Sequence, residues 1–142
     1  MRRKHLLLIC TLLTFGIPML LRAQYLDNAA LKTKWLNIPS APLQFRAHPN
    51  GRNYAIANVS DARIVRYRVG CVVQEADGLK ILSKRPAQEK DLAPLDRVKN
   101  EAASEIVMSS HGNWGKPFCE GEAKLAILEV AFADGGFWKI RK

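Results

Sequence analysis

The sequence predicts an all-β protein, a single antiparallel two-sheet sandwich of about seven short strands preceded by a signal peptide. Three observations lead there. The segment from Arg63 to Glu75 alternates apolar and polar residues with period two; turn residues recur roughly every ten positions; and beyond an apolar N-terminal stretch the chain holds one pair of cysteines.

The N-terminus carries Arg2, Arg3 and Lys4, then an uncharged apolar run from Leu6 to Leu21 broken late by Gly16 and Pro18, then Leu21-Arg22-Ala23 as a cleavage site. At helical rise this run spans roughly 24 Å, short of the roughly 30 Å hydrocarbon core, so a removed signal is expected over residues 1–23 and one domain over 24–142. An uncleaved N-terminal anchor is the alternative. Cys10, set early in the run after Leu8-Ile9, reads as apolar filler rather than a lipid-attachment site. The whole chain has a net charge of +9; the signal holds four of its basic residues and none of its acids, which leaves 18 basic against 13 acidic residues, or +5. Much of the basicity is therefore targeting equipment, no stable membrane span is expected once the signal is removed, and the expected location is extracytoplasmic, periplasmic or secreted.

Within the domain, the stretch from Ala30 to Phe45 supplies one or two strands interrupted by Pro39 and Pro42, as edge strands often are. Asn53 to Val59 reads as a strand, followed by a Ser60-Asp61-Ala62 turn. In the next strand Val65, Tyr67, Val69, Cys71 and Val73 share one face, with Arg66, Arg68 and Gln74 on the other. Ala76-Asp77-Gly78 turns the chain into LKILSK, where Leu79 and Ile81 alternate with Lys80. These three strands are expected to form an antiparallel meander. Between Arg85 and Ser104 the pattern weakens around Pro86 and Pro94, and Leu92, Leu95 and Val98 suggest one short helical turn. SEIVMSS, from Ser104, is again a strand.

The C-terminal AFADGGFWKIRK reads as a hairpin. A two-residue loop would set Val130 opposite Lys139. A three-residue loop at Asp134-Gly135-Gly136 pairs Phe132 with Trp138, Val130 with Ile140 and Glu129 with Arg141, and places Gly136 at the left-handed position of a type I turn with a G1 bulge. Leu128, Val130, Phe132, Trp138 and Ile140 then face the core.

Cys71 and Cys119 belong to no C-x-x-C, and outside a reducing cytosol such a pair reads as a disulfide. Closing a loop of roughly 49 residues, it would stabilise the fold by roughly 4 kcal/mol. Cys71, on the core side of its strand, suits an inter-sheet bridge.

ANVSDARIVRYRVGCVV and KLAILEVAFADGGFWK resemble two stretches of small exported bacterial proteins of unknown function, in which an N-x-S turn leads into a strand ending GCV and the chain finishes with a V-x-F-A-D-G…W hairpin. The resemblance implies an immunoglobulin-like or fibronectin type III-like sandwich and an export route, and names no activity. This chain has Gly136 where a small polar residue is commoner in those proteins.

The densest set of reactive side chains is SSHGNWGKPFCEGE, from Ser109 to Glu122. His111 with Cys119 or Ser110 would make a base and nucleophile, and His111, Cys119, Glu120 and His48 a metal set. No nucleophile elbow, H-E-x-x-H or oxyanion-hole signature accompanies them, and a bonded Cys119 is neither nucleophile nor ligand. The expectation is a non-catalytic module without cofactor or metal, binding a protein or glycan partner through Trp114, Phe118 and His111 in an end loop; a hydrolase or metal-dependent enzyme using the His111/Cys119 loop is the alternative. Arg63, Arg66 and Arg68 with Lys80, Lys84 and Arg85 would form a basic face for anionic surfaces. With no recognition helix and no base-stacking series, nucleic acid is not expected as a partner. Asn58-Val59-Ser60 reads first as turn chemistry and only then as a glycan acceptor.

Overall fold

The computed structural model describes residues 32–49, 53–95, 103–109 and 119–142; the signal region lies outside them, as do Val98, Ser110, His111, Trp114 and Phe118. Eight strands are laid down within these residues: β1 Leu43–Ala47, β2 Asn53–Asn58, β3 Ile64–Glu75, β4 Gly78–Lys84, β5 Gln88–Leu92, β6 Glu105–Ser109, β7 Lys124–Phe132 and β8 Phe137–Lys139. They form two antiparallel sheets, one ordered β1-β2-β6 and the other β4-β3-β7-β8, with β5 also paired to β3. The fold is the predicted all-β, two-sheet class. Among the described residues no helix is long and apolar enough to cross a bilayer.

The main core lies between the sheets. Phe45, Tyr54 and Ile56 from the smaller sheet meet Tyr67, Val69, Leu125, Ile127 and Val130 from the larger. Trp35 anchors one end, its ring centroid 5.9 Å from that of Phe45 and 5.6 Å from that of Tyr54. Its segment runs beside the start of β7, with Leu36 N–H donating to Leu125 O and Leu125 N–H to Lys34 O. The outer edge of β1 is closed by the Asn37 amide, which donates to Phe45 O at 2.9 Å and accepts from Phe45 N–H at 2.8 Å, in place of a neighbouring strand. A smaller cluster of Val72, Ala126, Leu128 and Ile140 lies on the opposite face of the larger sheet.

Four sequence expectations are corrected here. The meander does not form, because β2 and β3 belong to different sheets and the turn between them is a corner. Asn58 builds that corner: fully buried, it donates to Ala62 O and Leu92 O and accepts from the Ser60 N–H and hydroxyl. An amide so engaged is no glycan acceptor in the folded chain. Asn58→Ala strips partners from buried carbonyls, and a loss of about 2 kcal/mol is expected in a urea melt; a shift under about 0.5 kcal/mol would show that water replaces the amide.

Secondly, the disulfide is present but does not join the sheets. Cys71 sits on β3 opposite Leu125 of β7, in the same sheet, and Cys119 lies in the lead-in to β7, Cα–Cα 5.6 Å away. The bridge ties the β6–β7 connection down onto the larger sheet.

Thirdly, the C-terminal hairpin has the expected three-residue loop one position earlier. Val130 pairs with Trp138 and Glu129 with Lys139, Phe132 N–H donates to Gly136 O, and Gly135 carries the positive φ of 88°. The register moves by two residues, so each side chain keeps its face. The expected core face is nevertheless split: Val130 joins the main core, Leu128 and Ile140 the outer cluster, and Phe132 and Trp138 are half-buried. The cause is a bulge, because Arg68 pairs with Glu129 but Val69 with Ile127, which leaves Leu128 as the extra residue. Gly135→Val is expected to cost about 1.5 kcal/mol, and more than Gly136→Ala, since only Gly135 holds a left-handed backbone. Equal midpoint shifts in urea would restore the later loop.

Finally, Leu92 is not part of the expected helical turn, of which Leu95 is 3₁₀ and Val98 lies outside the described residues. The weak region holds β5, whose Leu92 is buried. Gly70 pairs with Lys84 and Tyr67 with Gln88, so β4 and β5 are two lengths of one arm along β3, interrupted around Pro86, where Arg85 N–H donates to Val69 O. A bulge at Val65 also shifts the face of β3, so Ile64 is buried in the main core where Val65 was expected, and Val72 is buried in the outer cluster.

Candidate functional site: a cleft between the sheets

The two halves of the sandwich do not close along the side where β5 runs past β6. A cleft of about 430 Å³ lies there, within the roughly 300–1,000 Å³ range of small-molecule sites. Its inner wall is Tyr54, Ile56, Tyr67, Val69 and Leu125, all buried, and its flank is Ile106 and Met108 of β6, both half-buried. The mouth is formed by Arg85 and Pro86 of the interrupted arm with Gln88, Glu89 and Lys90 of β5.

The local sequence explains why this side stays open. Gln88 is opposite Tyr67, an inward position, and alternation carries Lys90 to the same side. An edge strand that turned apolar residues inward there would seal the core against Ile106 and Met108. Gln88 and Lys90 are instead exposed, polar and at the mouth.

Both tyrosines are kept neutral. Burial pushes the Tyr54 phenol up to about 12, against the opposing pull of the Arg85 guanidinium, and burial raises Tyr67 as well. Two phenols thus line an otherwise apolar wall with a guanidinium close enough to be felt at one of them.

The sequence-predicted residues are distributed otherwise. Arg66 and Arg68 lie on β3 among acidic side chains: Arg63 binds Asp91 at 2.7 Å, Arg66 faces Glu89 at 4.0 Å, Arg68 reaches Glu129 at 3.0 Å, and Lys80 faces Glu75 at 3.6 Å. Exposed pairs of this kind add little stability, but they break the basic row into alternating charge. Missing β5 as a strand meant missing the two acids that it sets beside the arginines. Beside them, Arg66, Arg68, Ala131 and the exposed Phe137 line a shallow hollow of about 150 Å³. Cys119 is in the disulfide, so it offers no thiolate for nucleophilic attack or metal binding. Sequence reasoning missed Tyr54 and Met108 and placed Arg85 only on the basic face; the one available signal for the cleft was the polar Gln88 and Lys90 in a stretch that ends in an apolar residue.

Comparison of the chain with protein-family models, curated proteins and solved structures returns no match.

Proposed function

We propose that this protein is an exported, non-catalytic binding module of immunoglobulin-like architecture that takes an apolar group into the cleft between its sheets. The observation that carries the binding role is the cleft itself: an apolar wall with two neutral phenols, left open by polar residues at the inward positions of β5. Support for the architecture comes from strand order. Lettered along the chain, β1-β2-β6 over β4-β3-β7-β8 is A-B-E over C′-C-F-G, the immunoglobulin frame with C′ added and no D strand among the described residues. The staple departs from that frame, since it runs from the C strand to the lead-in of F rather than from B to F. Export is supported by the disulfide together with the basic-then-apolar N-terminus.

The test uses N-phenyl-1-naphthylamine, a neutral dye that brightens in apolar surroundings, titrated into the purified exported protein. Saturable binding at one dye per chain, abolished by Met108→Trp in a variant that melts like the parent, is expected. Non-saturable binding, or binding untouched by Met108→Trp, rules out the cleft.

A further inference from the structure

The charges at the mouth specify the ligand further. We propose that the cleft selects an amphipathic monoanion, an acyl carboxylate whose chain lies against the apolar wall and whose head group meets Arg85 and Lys90 at the mouth. This rests on the cleft being the binding site and adds the class of ligand.

Three observations converge on it. First, cations outnumber acids at the mouth. Arg85 and Lys90 line it against the single carboxylate of Glu89, which faces Arg66 at 4.0 Å, while Asp91 is bound to Arg63 at 2.7 Å. Secondly, Arg85 stands where the arm is interrupted, its backbone held by Val69 O and its guanidinium acting on the Tyr54 phenol. A guanidinium fork beside a phenol O–H matches the two oxygens of a carboxylate, with the phenol as an added donor. Thirdly, the depth of the cleft offers aliphatic and thioether surface from Ile56, Val69, Leu125, Ile106 and Met108. Beyond the phenol hydroxyls, no polar side chain among the described residues lines that wall, so a sugar or a multiply charged ion would bury hydroxyls or charge against hydrocarbon. A single charge at one end of a flexible apolar chain satisfies both halves of the site.

The experiment displaces N-phenyl-1-naphthylamine from the parent protein and from Arg85→Gln and Arg85→Lys, with decanoate and with decanol at matched concentrations and low salt. Decanoate is expected to compete about tenfold more tightly than decanol on the parent. Arg85→Gln is expected to remove most of that preference while decanol is unchanged, and Arg85→Lys to keep part of it, since the charge remains and the fork does not. Equal competition by decanoate and decanol, or a preference indifferent to both Arg85 variants, overturns the anion assignment while the dye result leaves the cleft standing. Dye that never binds saturably removes the cleft reading, and this proposal with it.

Discussion

Replacing Cys71 and Cys119 together by alanine will lower the free energy of unfolding by roughly 4 kcal/mol, measured by urea unfolding extrapolated to water, with a lower midpoint and a slope at least as steep as the parent's. The two residues are 48 apart in sequence, so the bridge removes a large loop's freedom from the unfolded chain. A domain of this size has a total stability on the order of 5–15 kcal/mol, so this loss removes a large share of it. Position adds to the effect. Cys119 packs against the main core and begins the run into β7, the strand that pairs with β3 along most of its length and carries Leu125, Ile127 and Val130 inward. Without the bridge, the lead-in is held near β3 chiefly by that pairing. Reduction of the parent with dithiothreitol should reproduce the midpoint of the double variant. A change below about 1 kcal/mol in both experiments would mean that the reduced chain already keeps this connection in place.

The other large effect is expected at Gly70. It lies mid-strand on β3 with a neighbour on each side, Lys84 of β4 and Ala126 of β7. A Cβ built there falls against the backbone carbonyl oxygen of Ser83 and 2.5 Å from Leu128 Cδ1. The leucine methyl can turn aside; the carbonyl belongs to a paired strand and cannot do so without breaking the ladder. Overpacking a core usually costs about 1–3 kcal/mol, and a clash with fixed backbone should exceed it, so Gly70→Ala is expected to cost about 4 kcal/mol and to lower the yield of oxidised protein. Gly136→Ala serves as the control. It adds the same methyl at a site where the nearest atoms, Asp134 Oδ1 at 3.0 Å and Phe132 Cδ2 at 3.3 Å, are ends of side chains. Similar midpoint shifts for the two variants would show that β4 yields at Ser83, and the close approach would lose its significance.

The legible parts of the fold were legible for two reasons. Ile64–Glu75 and Gly78–Lys84 alternate more and less buried residues and so show period two, whereas Asn53–Asn58 and Lys124–Phe132, buried along most of their length, stand out as largely apolar runs. Strand β5 could not be read this way. Its QEKDL is almost wholly exposed, and its alternation separates one kind of polar residue from another. The corner after β2 was hidden for a different reason: Ser60-Asp61-Ala62 looks like any turn, and only the burial of Asn58 against Leu92 O shows that the chain crosses between sheets there. Bulges were also hidden, because one extra residue at Val65 or Leu128 leaves composition unchanged while reversing every face beyond it.

The candidate site follows the same division. Residues that carry conspicuous chemistry, Arg66, Arg68 and Cys119, are engaged in ion pairs or a disulfide, and the cleft is built from Tyr54, Tyr67, Arg85, Ile106 and Met108, which come from three strands and a linker. By itself the sequence determined the all-β class, the cysteine pair and the length of the final loop, since all of these depend on period, composition or nearest neighbours. Tertiary structure alone decided which strands share a sheet, which acids neutralise the arginine row and where the sandwich stays open. Those outcomes depend on contacts between residues tens of positions apart, and a pattern of local periods carries no record of them.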